Sequence, residues 1–164
     1  MKTTEHIKNK IFVKDRLRQQ ILEWRKEGKQ IVFTNGCFDL VHYGHICYLS
    51  QAADLGNILI VGLNSDTSVQ RLKGPSRPVN IELTRAMVLA SMEFVDAVVV
   101  FDEETPFDLI HMVQPDTLVK GGDYTVENVV GHDIVLKNGG RVIILPFVDG
   151  FSTSALVEKI NTKS

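Results

Sequence analysis

Short, almost uninterrupted apolar runs, separated by stretches of helix length, constrain this chain more than any other feature. Residues 31–34 (IVFT), 58–63 (ILIVGL), 98–101 (VVVF), 117–120 (TLVK) and 142–145 (VIIL) read as five strands. Between and after them, helices are expected over 44–55, over 81–94 behind an Asn80 N-cap, over 106–113 behind a Thr105 N-cap, and over 132–138 and 154–160. Strands that are apolar on both faces belong to parallel sheets covered by helices on both sides. The expected fold class is therefore α/β: a single doubly wound, Rossmann-like domain with a five-stranded parallel sheet. Ahead of it, residues 14–27 place Leu17, Ile21, Leu22 and Trp24 on one stripe and stop at Gly28, which predicts an N-terminal helix. The organisation read from this is a helical extension over 1–29 and one domain over 30–164.

A chain of 164 residues holds one domain of ordinary size. Its formal net charge of −2 supplies no basic excess to gather phosphates at long range, which argues against nucleic acid or a membrane surface as partner. No apolar run approaches the ~20 residues that span a bilayer, and the start, MKTTEHIKNKIF, lacks a signal-peptide core. Two cysteines, Cys37 and Cys47, make no disulfide framework, so a reducing, cytoplasmic location is expected.

In a doubly wound sheet, ligands bind beyond the carboxyl ends of the strands. The segment after the strand at 31–34 is N-G-C-F-D-L-V-H-Y-G-H, residues 35–45. It is neither G-x-G-x-x-G nor a P-loop, yet it occupies the same strand–turn–helix position. Free amides and the dipole of a helix start attract anions. His42 and His45, one helical turn apart, can project to one side, with Gly44 between them to let a phosphate approach. Two imidazole donors at a helix start make a cradle for a phosphate that gains charge during reaction; ordinary packed or surface histidines are the plainer alternative. Zinc held by His42, His45, Cys37 and Cys47 lacks the C-x₂₋₄-C pair usual in structural sites, and no metal site is expected.

Three more strand ends carry polar signals. Arg71, Lys73, Arg77 and Arg85 follow the strand at 58–63, and the glycine and prolines of K-G-P-S-R-P (73–78) read as a loop able to carry Lys73 onto a phosphate. On the residues alone this is equally a solvated surface loop. K-G-G-D-Y (120–124) follows the fourth strand, its glycines allowing a sharp turn. G-F-S-T-S (150–154) opens the last helix, where Ser and Thr are good caps whatever else they do.

The H-x-G-H element, with G-x-F-D before it, resembles the signature of the cytidylyltransferase-like nucleotidyltransferase superfamily. The stretches N-S-D-T-S-V-Q-R-L-K-G-P-S-R-P-V-N, L-V-K-G-G-D-Y and G-F-S-T-S are similar to one branch, the adenylyltransferase domain of ADP-heptose synthesis. The resemblance runs from about residue 28 to 160. It implies that the domain over 30–164 transfers AMP from ATP to D-glycero-β-D-manno-heptose 1-phosphate, releasing pyrophosphate, as a step toward the lipopolysaccharide core.

By the same resemblance His42, His45 and Lys73 are catalytic. Asn35, Gly36, Cys37, Phe38, Gly44, Arg85, Gly121, Asp123, Ser152, Thr153 and Ser154 bind the nucleotide. Independently of the resemblance, Asp39 and Arg77 are expected at the acceptor, with Asp39 equally a cap of the turn or a contact to the metal. Mg²⁺ is expected to ride on ATP. A separate sugar kinase would supply the acceptor, since this length leaves no room for one, and a homodimer is left open. Glycerol 3-phosphate cytidylyltransferases carry R-T-x-G-I-S-T-T where this chain has Phe147 to Ser154, so Phe147 replaces an arginine. That speaks against the glycerol branch and leaves one cation fewer for the triphosphate. A cytidylyltransferase for another phosphorylated acceptor, and a non-catalytic nucleotide-binding module, are the competing readings.

Overall fold

The computed structural model describes residues 3–162; the two outermost residues of the spans 1–29 and 30–164 lie outside them. In chain order the elements are α1 (Thr4–Asn9), β1 (Ile11–Phe12), α2 (Lys14–Lys26), β2 (Ile31–Gly36), α3 (Tyr43–Ala53), β3 (Ile58–Asn64), α4 (Asp66–Lys73), α5 (Glu82–Ser91), β4 (Ala97–Phe101), α6 (Phe107–Val113), β5 (Thr117–Gly121), α7 (His132–Lys137), β6 (Arg141–Leu145) and α8 (Thr153–Asn161). The strands form one sheet in the order β1-β4-β3-β2-β5-β6, every pair parallel.

The doubly wound α/β reading holds, with one correction: the sheet has six strands, not five. The sixth, β1, is only Ile11–Phe12, paired in register with Val98 and Val99 at the edge of β4. Three apolar residues, 11–13, between Lys10 and Lys14 are too short a run to announce a strand; the free edge of β4 selects it. The segment 1–29 thus carries a strand as well as helix, and Leu17 and Ile21 of α2 are buried.

Side-chain alternation along the strands sorts the core into two layers. Ile31 and Phe33 pack with α2, α6 and α7 residues, including Leu17, Ile110 and Val135, on one face. Val32 and Val61 pack with Leu49 of α3 and Leu89 of α5 on the other. Two expected caps moved. Asn80, drawn to Asp39, gives way to Ile81 as N-cap of α5, and Thr105 gives way to Pro106 for α6. The helix α4 has no counterpart among the expected elements; Ser65 caps it by accepting from the Ser68 amide. Its last residue is Lys73, so this lysine sits on a helix end and not within the loop that follows.

From β2 the chain steps one way across the sheet to β3 and β4, then returns to place β5 on the other side of β2. The carboxyl end of β2 is the topological switch point where such sheets take ligands.

Candidate active site

The turn leaving β2 is set by its smallest and its largest residues. Phe38 adopts φ +42°, a left-handed backbone that is uncommon outside glycine. Its ring folds back so tightly over Gly36 that a Cβ there would lie 2.9 Å from it. The buried ring then meets His45 edge-on, centroids 5.2 Å apart. Phe38 forms the wall behind His45.

His42 is the N-cap position of α3 and His45 lies three residues on. Their rings stack at 3.8 Å with 20° between planes, so the two histidines do converge. Both Nδ1 atoms are buried without a hydrogen-bond partner. Burial pushes the His42 pKa down. For His45, burial and then the neighbouring His42 lower it to about 4, against the Leu40 carbonyl, which favours protonation. Two neutral, stacked imidazoles therefore stand at a helix start that no side chain caps. Gly44 is closely packed: a Cβ would lie 3.2 Å from the His42 ring and 3.3 Å from Cβ of Phe151.

Beneath this turn runs a polar framework. Asp39 is 3% exposed. It accepts from Arg77 Nε at 2.6 Å and from the amides of Val79 and Asn80. Burial pushes its pKa up, but the Asn80 and Val79 amides and the Arg77 guanidinium outweigh that and hold it below the usual range. Asp39 and Arg77, expected at the acceptor, are thus partners of each other. Arg85 is 1% exposed and donates to the Asn80 and Cys37 carbonyls and to Asp66. Its guanidinium is committed to protein acceptors, tying α4, α5 and the β2 turn together.

The remaining residues divide in the same way. Ser152 caps α8, and Thr153 donates to the Leu40 carbonyl at 3.3 Å. With the Tyr43–Phe151 ring contact at 5.1 Å, this docks the closing turn on the histidine turn. Ser154 and Asp123 are exposed, and Asn35 and Cys37 are half-buried at the end of β2 and just past it. Gly121 and Gly122 lie under the Phe147 ring; at Gly122, with φ +105°, a Cβ would come within 2.5 Å of it. Phe147, noted above only as replacing an arginine, thus packs over the Gly121–Gly122 turn. Tyr48 of α3 joins Thr34 of β2 to the Val119 carbonyl of β5, and its pKa is pushed up to about 12, chiefly by burial.

Cations close the group. Burial pushes the Cys37 thiol up, while Lys73, Arg85 and Lys120 draw it down. One residue thus senses charges carried by α4, α5 and β5 together. On the far side of β3, a cavity of about 550 Å³ opens among Lys14, Ser65, Glu82, Asp102 and Glu103. Among the described residues no three His, Cys, Asp or Glu side chains are grouped to hold a metal ion, and no helix is long and apolar enough to cross a membrane.

Residues 33–157 match the family described as cytidylyltransferase-like. The chain belongs to the cytidylyltransferase-like family. Among curated relatives in it, the bifunctional protein HldE of Syntrophotalea carbinolica is 54% identical over 152 residues, 93% of this chain and 31% of that protein. HldE of Campylobacter jejuni serotype O:2 is 59% identical over 139 residues, 85% of this chain and 29% of its own length. The chain thus spans about a third of the curated relatives it matches. A lipopolysaccharide core biosynthesis protein from Thermoplasma volcanium has the same fold, with a TM-score of 0.59 and 27% identity over 74% of this chain and 98% of its own. All the residues singled out at this cytidylyltransferase-like site, apart from Lys14, fall within the matched span 33–157.

Proposed function

We propose that this protein is an adenylyltransferase that joins AMP from ATP to D-glycero-β-D-manno-heptose 1-phosphate, giving ADP-heptose and pyrophosphate. The observation that carries this reading is the stacked pair His42–His45 at the uncapped start of α3, on the turn after β2. Similarity to HldE and to a lipopolysaccharide core biosynthesis protein supports the heptose acceptor.

In the reaction an acceptor phosphate oxygen bonds to the α-phosphorus, and the bond from that phosphorus to the bridging oxygen breaks, its electron pair leaving with pyrophosphate. The nucleophile is already an anion, so no general base is needed. The work left to the protein is alignment of two like-charged groups and stabilisation of the charge that builds up. His42 and His45, held neutral by burial, donate to the α- and β-phosphates, together with the first amides of α3. Lys73 neutralises the triphosphate, and Ser154 offers a free hydroxyl at the departing end. Phe147 over Gly121–Gly122 lines the nucleoside side. The carboxylates of Glu82, Asp102 and Glu103 suit the sugar hydroxyls. Asp39 and Arg85 act through the loop and turn they hold.

Mg²⁺ belongs on the ATP. Asp39, the one carboxylate in the histidine turn, already accepts three hydrogen-bonding groups, so the residues present do not fit a protein-held ion. When bound to the triphosphate, the metal supplies charge neutralisation. A sugar kinase outside these residues supplies the acceptor, and the free cysteines suit a cytoplasmic setting.

The test is a pyrophosphate-release screen of ATP, CTP, GTP and UTP against sugar and polyol phosphates. ATP with the heptose 1-phosphate should lead. Preference for CTP with glycerol 3-phosphate would replace the substrate assignment, and nucleotide binding without release under any acceptor would replace the enzyme. His45→Ala should lower kcat by ~10²-fold, the effect of losing an oxyanion-type donor, with the circular dichroism spectrum unchanged.

A further inference from the structure

The carboxyl end of β5 carries a cation that the chemistry above leaves unused. Lys120 precedes the last residue of β5. The register Phe33↔Leu118 sets it level with Asn35 at the mouth of the switch point. It is half-buried, and burial pushes its pKa down. Its ammonium lies 5.6 Å from the centre of the Tyr124 ring and acts on the Cys37 thiol. Among the described residues no carboxylate or carbonyl meets it, unlike Lys14, which is paired with Glu103.

A partly desolvated ammonium without an acceptor is unfavourable, and an aromatic face offsets only part of that. The strand ends have a tie of their own: Tyr48 joins β2 to β5. Lys73 and Lys120 reach the Cys37 turn from opposite sides of β2, one from the β3 side and one from β5. Two phosphates that must come within bonding distance repel each other, and a cation on each side relieves that repulsion.

We propose that Lys120 is a phosphate ligand in the transfer reaction, its ammonium binding an oxygen of the nucleotide's α-phosphate or of the acceptor's phosphate. Lys120 keeps its protons throughout and contributes charge and a hydrogen bond while the pyrophosphate departs. This rests on the adenylyltransferase reading above and extends its site to β5.

The experiment compares Lys120→Met, Lys120→Gln and Lys120→Arg in the full chain. Titration calorimetry gives ATP affinity without acceptor, and pyrophosphate release gives kcat and the acceptor KM. Met and Gln should lower kcat/KM by about 100-fold and Arg should restore it to within about tenfold, as for a charge-dependent contact. A roughly tenfold loss of ATP affinity assigns the nucleotide phosphate; unchanged ATP affinity with a raised acceptor KM assigns the acceptor phosphate. Either result supports the proposal. If Met does not fold, Gln against Arg decides it. Unchanged ATP affinity with kcat/KM within about twofold of wild type overturns it. If the wild type releases no pyrophosphate with any sugar phosphate, the adenylyltransferase reading falls. Lys120 then stands only if Met still weakens ATP binding, and is overturned if it does not.

Discussion

At the scale of single residues, the site is governed by two imidazoles kept neutral. His45 has a native pKa of about 4 against an unfolded value of 6.5, lowered by burial first and His42 second. Between those values the unfolded chain binds more protons than the native one. The stabilisation is therefore fully present above pH ~6.5 and is lost as pH falls toward ~4. His45→Gln removes the titration, so the difference in urea midpoint between variant and wild type should move in the variant's favour across that window and stay level above it. A bound phosphate favours the imidazolium, so ATP should raise the His42 and His45 pKa values in an NMR titration. An unmoved pair would remove the phosphate from their surroundings. Neutral donors also fit the proposed transfer: a permanent dication would hold the ground-state triphosphate as firmly as the transition state.

At the scale of elements, the turn after β2 and the loop between α4 and α5 form one unit. Asp39 holds the loop by Arg77 and two amides, and Arg85 holds its far end by the Asn80 carbonyl. Removing one member of a buried, hydrogen-bonded ion pair leaves the other uncompensated. Asp39→Ala should therefore cost about 3 kcal/mol in urea denaturation, with Arg77 the partner left behind. The pKa of Asp39 lies below its unfolded value, so its contribution persists above pH ~3.9 and is lost as pH falls through the native value.

This unit also marks the limit of what the sequence discloses. The histidines, the Ser-rich turn and the sheet are legible because motif spacing and continuous apolar runs express them directly. The roles of Asp39, Arg77 and Arg85 are not, because a carboxylate beside arginines reads the same whether it grips a ligand or the chain. Phe38 is hidden for another reason: its left-handed backbone turns an aromatic from an exposed-looking loop into the support of His45. Lys120 was visible as a residue, and only the absence of an acceptor in three dimensions gives it a use.

At the scale of the whole molecule, the first thirty residues bear on the sheet as much as on the surface. The pattern of 14–27 shows an amphipathic helix and says nothing of its partner; the structure supplies one. Strand β1 covers the edge of β4, where the Val98 amide donates to the Lys10 carbonyl at 2.8 Å. Helix α2 buries Leu17 completely in the layer that also holds Phe33 and Ile110. Leu17→Ala should accordingly cost about 3 kcal/mol, the usual range for a buried leucine that leaves a cavity, out of a total of about 5–15 kcal/mol for a domain. Removing residues 1–29 does more: it bares the β4 edge, strips the apolar cover from one end of a core layer, and deletes Lys14 from the ion pair with Glu103 beside the cavity. The shortened chain should show no cooperative unfolding transition by circular dichroism and should expose an edge prone to self-association. A sharp transition at the wild-type urea midpoint would instead make the segment an appendage that the rest of the sheet folds without.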